Sequence, residues 1–125
     1  MLFDTDILIW IQRGNARAAV LLEAETERYI SVQTYMELLQ CAQNKQQVQF
    51  TKRFLTDFQV VVLPFSANIG QRAAVYIEEY SLATGLRAGD ALVAATAVEH
   101  GLTLSTSNAK HFRQITGLDL QVFEP

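Results

Sequence analysis

Three carboxylates and one amide stand where this chain could build a reactive site: Asp4, Glu37, Asp90 and Asn108. Asp4 follows the apolar pair Leu2-Phe3, which reads as the end of a short strand. Glu37 and Asp90 lie near the starts of helical segments, and Asn108 follows another strand-like run. In an open parallel sheet, ligands bind beyond the carboxyl ends of the strands, where the chain turns into helices. All four residues are expected to meet at that end. Like charges gathered there repel one another unless a cation joins them. A set of oxygen donors without thiolates or imidazoles suits Mg2+ or Mn2+ over Zn2+. His100 and His111 have no partner at ligand spacing.

Each position also has a local explanation. Asp4 is a possible helix N-cap, and Asp6, beside the start of the helix, is the better cap candidate of the two. Thr34-Tyr35-Met36-Glu37 fits a capping box, with Glu37 in the first turn of its helix. Asp90, after Gly89, also resembles an N-cap, and Asn108 is placed to cap a turn over 109–113. Taken singly, these readings suffice. Their joint arrival at one end of a sheet favours a site.

The elements that must position them follow from periodicity. Strands are expected over 1–4, 28–32, 60–63, 103–105 and 118–123. Helices are expected over 6–12, 16–25 with Asn15 as cap, 34–43, 45–58, 66–83 and 90–100. Val60-Val61-Val62-Leu63, closed by Pro64, reads as a strand covered on both faces. Apolar stripes at Val48, Phe54, Leu55 and Phe58, and at Ile69, Ala73, Tyr76 and Tyr80, read as core, as does Trp10. Short strands alternating with helices predict a three-layer α/β/α sandwich with a mainly parallel five-stranded sheet.

Bulk composition agrees with that architecture. The chain has 125 residues, half of them hydrophobic and 18% charged, and no repeat or linker divides it. One domain over 1–125 is expected. Its net charge of −3 argues against a broad basic surface for nucleic acid, so any anionic ligand must be gripped locally. No apolar stretch approaches the roughly 20 residues of a spanning helix. Met1-Leu2-Phe3-Asp4 lacks the basic-then-apolar order of a secretory signal. The single cysteine, Cys41, reads as a buried structural thiol in a reducing compartment.

Four ordered blocks resemble the signatures of PIN domains. They are Leu2-Phe3-Asp4-Thr5-Asp6-Ile7-Leu8, Met36-Glu37-Leu38-Leu39, Gly89-Asp90-Ala91-Leu92-Val93-Ala94 and Leu104-Ser105-Thr106-Ser107-Asn108-Ala109-Lys110-His111-Phe112. The chain is most similar to the VapC-like toxins of bacterial toxin–antitoxin pairs. The resemblance implies a cytoplasmic, homodimeric, Mg2+- or Mn2+-dependent endoribonuclease blocked by a cognate antitoxin. It implies Asp4, Glu37 and Asp90 as metal-binding and catalytic residues. Asn108 falls on the fourth position, often aspartate in relatives. Thr106 matches a supporting hydroxyl, and Asp6 takes a supporting role. Products with a 5′-phosphate and a 3′-hydroxyl are implied as well. Lys110 and Arg87, with His111 and Arg113, are expected to rim the acidic centre and hold RNA phosphates. The surplus aromatic stripes are candidate faces for the dimer or the antitoxin.

Two other readings compete. Asp4-Thr5-Asp6 after a strand resembles the nucleophile pair of haloacid-dehalogenase phosphatases. Against it, Ile7 and Leu8 occupy positions that such a motif gives to small or hydroxyl residues, and no later lysine or paired-acid block follows. The non-enzymatic alternative is a catalytically silent PIN-like module that binds RNA or a partner, a reading favoured by Asn108 and the acidic balance.

Overall fold

The computed structural model describes residues 1–125. Five strands, β1 (Leu2–Phe3), β2 (Tyr29–Ser31), β3 (Val61–Leu63), β4 (Leu104–Thr106) and β5 (Leu120–Val122), form one sheet in the order β3-β2-β1-β4-β5. Every pairing is parallel. Six α-helices connect them: α1 (Thr5–Gln12), α2 (Ala16–Ala24), α3 (Val32–Gln40), α4 (Lys45–Asp57), α5 (Ala67–Thr84) and α6 (Ala88–Glu99). No helix is long and apolar enough to cross a membrane.

β1 is only two residues long, yet it organises both layers. Successive strand side chains point to opposite faces. Leu2 therefore joins the core under α5 and α6, with Ile69, Ala73, Tyr76, Val93 and Leu104. Phe3 joins the core under α1 to α4, with Ile7, Leu8, Leu22, Leu38 and Leu55. Both residues are fully buried. The sandwich expected from the alternation of elements is the one observed. α6 buries Ala91 and Val93 through Ala97, so small side chains let it sit close to both α5 and the sheet.

The strand order places a switch point between β1 and β4. From β1 the chain winds outward through β2 to β3, then α5 and α6 carry it back to β4 on the other side of β1. Connections diverge there, which opens a crevice at the carboxyl ends of these two strands.

Several local expectations are corrected. Val61–Leu63 is an edge strand paired only with β2, and Val61 is half exposed. Its β-branched run reflects strand propensity, not burial on both faces. Cys41 is exposed, because it caps the end of α3 after the last buried turn. Trp10 is half-buried, with the Arg13 guanidinium 6.0 Å from the ring centre, and so lies at the surface of the layer. The stripes through Leu55 and through Ile69, Ala73 and Tyr76 are core, as expected.

Candidate acidic site at the switch point

Asp4 leaves β1 and caps α1. Its backbone N–H donates to the Ser105 carbonyl at 2.9 Å, extending the pairing with β4 by one residue. Its extended backbone turns the carboxylate back over the helix, where Oδ1 accepts the Thr5 N–H at 2.8 Å. Oδ2 accepts the Thr106 hydroxyl at 2.8 Å, although the two residues are 102 positions apart. Asp4, and not Asp6, is thus the cap, because the helix begins at Thr5, one residue earlier than the periodicity suggests.

Asp6 sits in the first turn of α1 and faces the β4 corner. Its Oδ2 accepts the Ser107 N–H at 2.9 Å and a short hydrogen bond from the Ser107 hydroxyl. The Thr106 hydroxyl stands 3.5 Å from the same oxygen. Thr106 Oγ1 also accepts the Asn108 N–H at 3.0 Å. Asp6 Oδ1 is buried and has no partner.

The opposite wall comes from helices. Ser31 is buried and caps α3 directly at the strand end, so the helix starts at Val32. That puts Thr34 and Glu37 inside the helix, and the capping box expected from Thr34 and Glu37 does not form. Glu37 lies in the second turn. Its Oε1 accepts the Thr5 hydroxyl at 2.9 Å, and Thr34 Oγ1 stands 3.1 Å from the Thr5 hydroxyl. Asp90 is the third residue of α6 and not its cap; Oδ2 accepts the Arg87 N–H at 3.4 Å. Gly89 lets α3 and α6 approach closely. A Cβ there would lie 3.0 Å from Gln33 Nε2 and 3.8 Å from Glu37 Oε2.

Asp4, Thr5, Asp6, Ile9, Glu37, Asp90 and Asn108 line one open cavity of about 210 Å³. The acidic residues expected at one end of the sheet therefore line a single open cavity, without three of them converging on one point. Thr106 lies buried behind the cavity and holds Asp4. Asn108 is exposed, and its side chain does not cap the following 3-10 turn over Ala109–His111. Arg87 and Lys110 are exposed and do not line the cavity. A larger hollow of about 510 Å³ on the outer side of α5 and α6 carries the Arg72–Glu99 ion pair and no collected acids. Thr5 and Ser107 are the site residues that sequence reasoning missed. The only hint was their hydroxyls directly beside Asp4, Asp6 and Asn108 in the chain.

Electrostatics mark the cavity as incomplete. Burial pushes the Asp4 carboxyl up to about 7, and the neighbouring Asp6 carboxylate pushes in the same direction. Hydrogen bonds from Thr106 and the Thr5 N–H oppose the rise, and the Asp90 charge adds to it. No three carboxylates converge on one point as a closed metal site requires. The donor chemistry nevertheless suits a hard cation. Mg2+ keeps several of its waters and is commonly bound through only one or two carboxylates. The unpartnered oxygen of Asp6 and the raised affinity of Asp4 for a proton are both deficits that positive charge would relieve.

A parallel α/β sandwich with a crowded acidic pocket at its switch point defines a class of protein, and comparison with known families says which. The PIN domain profile matches residues 1–118, and the chain belongs to the PIN domain family. A toxin–antitoxin complex from Klebsiella pneumoniae contains a chain 36% identical to this one, covering 94% of this chain and 93% of that one, with a TM-score of 0.79. VapBC-1 from nontypeable Haemophilus influenzae matches at 25% identity over 97% and 96% of the two chains, TM-score 0.80. VapBC2 from Rickettsia felis, bound to a DNA fragment from its promoter, matches at 24% over 98% of each chain, TM-score 0.80, which supports the fold. Comparison with curated proteins finds no significant match.

Proposed function

We propose that this chain is a divalent-cation-dependent endoribonuclease and the toxin of a toxin–antitoxin pair. The observation that carries the reading is Asp4, nine-tenths buried, sharing one cavity with Asp6, Glu37 and Asp90 while no lysine or arginine of the chain lines it. Membership of the PIN family supports a nuclease, and the relatives solved as toxin–antitoxin complexes support a cognate antitoxin.

Asp4 and Asp90 would hold a Mg2+ or Mn2+ ion, with Glu37 binding directly or through water. When bound, such an ion supplies a water of lowered pKa and neutralises charge on the phosphoryl oxygens. The chain's own residues do the rest. Thr106 and the Thr5 N–H fix both oxygens of Asp4, so its carboxylate need not reorganise during reaction. The Thr5 hydroxyl directs Glu37, which orients the attacking water. Asn108, at the mouth of the cavity, offers its amide to the substrate phosphate. Lys110 and Arg87 stand at the surface near Asn108 and Asp90 in the chain and steer RNA phosphates toward the acids. The resemblance to VapC-like toxins supports RNA as substrate, a cytoplasmic setting and a homodimer. Light scattering at twice the 14.0 kDa chain mass checks the last.

A silent RNA- or partner-binding module is the second reading, favoured by the absence of three converging carboxylates and by the neutral Asn108. One assay separates the two. Purified protein is incubated with structured and unstructured RNAs in Mn2+, in chelator, and as Asp4→Asn. Cleavage that needs Mn2+ and vanishes in the variant is expected. Binding without cleavage of any RNA leaves the silent module; equal cleavage in all three conditions exposes a contaminant.

A further inference from the structure

Two residues compete to complete the acidic set of this cavity. Asn108 occupies the expected position, but its side chain is neutral, exposed and makes no cap hydrogen bond. Asp6 lines the same cavity and is a carboxylate, not an amide. The donors on Asp6 all fall on one oxygen. Ser107 approaches Oδ2 through its N–H and its hydroxyl, with the Thr106 hydroxyl beyond. This fixes the carboxylate plane and leaves Oδ1 as the oxygen without a donor.

Oδ1 is closed off from bulk solvent and accepts a hydrogen bond from nothing in the chain. An anionic oxygen left this way is costly, and native structures rarely tolerate it without an unseen partner. The partner is not a side-chain cation. The only side-chain ion pair in the molecule is Arg72–Glu99, on the outer side of α5 and α6. A protein that spends two donors of Ser107 on aiming a carboxylate, and then gives its second oxygen no donor, has left that oxygen for positive charge from outside the chain.

We infer that Asp6, and not Asn108, supplies the fourth negative charge of the cation site, with Ser107 and Thr106 positioning it. This rests on the cation-dependent reading of the cavity and adds which residue completes the charge. Asp6 and Asp4 share the Thr106 hydroxyl, so the same corner of β4 aligns both. With Asp6 counted, the site holds four carboxylates, Asp4, Asp6, Glu37 and Asp90, although residue 108 is neutral.

Direct Mn2+ titration of the full chain, read by the electron paramagnetic resonance of free Mn2+, tests this without any RNA. Wild type, Asp6→Asn, Asp6→Ser and Asn108→Ala are compared after metal-free circular dichroism melts show each folded. Asn keeps an acceptor for the Ser107 N–H, and Ser removes the charge by a different shape. Both Asp6 variants are expected to bind Mn2+ about 10- to 100-fold more weakly, each losing more than Asn108→Ala. Asp6 variants that bind as tightly as wild type, which would mean that a buried water satisfies Oδ1, overturn the inference. So does an equal or larger loss in Asn108→Ala. A wild-type chain that binds no Mn2+ at all sinks the cation reading itself, a result distinct from either.

Discussion

The two walls of the acidic cavity are held in different ways. On the strand wall, Asp4 and Asp6 are tied to β4 through the Ser105 carbonyl, the Thr106 hydroxyl and Ser107, and Asp4 is buried. On the helix wall, Glu37 and Asp90 are partly exposed, and each is held by one hydrogen bond, the second a long one of 3.4 Å. The strand wall is a fixed seat. The helix wall keeps side-chain freedom with which to close on a ligand. Catalytic sites gain from fixed dipoles where charge develops, and carboxylates buried against each other store repulsion that a ligand can release. The contrast implies that changes on the strand wall move both stability and activity, whereas changes on the helix wall move activity alone.

The largest effect is expected at Asp4. Its pKa is raised from 3.8 to about 7, so the folded state binds this proton more tightly than the unfolded state. The associated stability is fully present below pH 3.8 and is lost as pH rises through 7. By pH 8 the metal-free protein has forfeited about 4 kcal/mol relative to a protonated site. Asp4→Asn removes that charge and keeps an acceptor for the Thr5 N–H. Its amide can donate to Thr106 Oγ1, freeing the hydroxyl for Asp6. The variant should melt well above wild type at pH 8 in chelator and close to it at pH 4. Its RNA cleavage should fall by more than about 100-fold. Equal melting at pH 8 would remove the distinction between the walls.

Thr106→Val comes next. It leaves Asp4 Oδ2 and the Asn108 N–H without the hydroxyl that joins them. Burying an unpaired acceptor costs about 1–3 kcal/mol, and denaturant unfolding should read a loss of that size. Glu37→Gln and Asp90→Asn preserve acceptors for the Thr5 hydroxyl and the Arg87 N–H. Their stability should stay within about 1 kcal/mol of wild type while cleavage drops about 10- to 100-fold. A large destabilisation in either would mean that the helix wall is as rigid as the strand wall.

Much of this arrangement was legible in the chain before folding, for identifiable reasons. An acid directly after Leu2-Phe3 marks a strand exit, and alternation of short strands with helices forces parallel crossovers that collect such exits at one end. What stayed hidden depends on where helices begin and on long-range pairs. Ser31 caps α3 without an intervening loop, which shifts Glu37 from the first turn to the second. Asp90 moved from cap to third position because α6 begins at Ala88. The partnership of Asp6 with Ser107 joins residues 101 positions apart, and no local pattern encodes it. The edge position of β3 was likewise hidden, since a β-branched run serves a central or an edge strand equally well.

Gly89 offers the finest test of the contrast. It occupies the second position of α6, where alanine favours the helix by up to about 1 kcal/mol over glycine. Against that gain, a Cβ would stand 3.0 Å from Gln33 Nε2, the far end of a flexible side chain, which must give way. Glu37 Oε2, at 3.8 Å, is at ordinary contact distance and need not move. The two terms nearly cancel, so Gly89→Ala should change thermal stability by less than about 0.5 kcal/mol. Cleavage should likewise change only a few-fold, because the helix wall can absorb a displaced amide without disturbing Asp4. A loss as deep as that of Glu37→Gln, with unchanged melting, would show that the spacing between α3 and α6 is itself part of the seat. The adjustable wall would then be the fixed one.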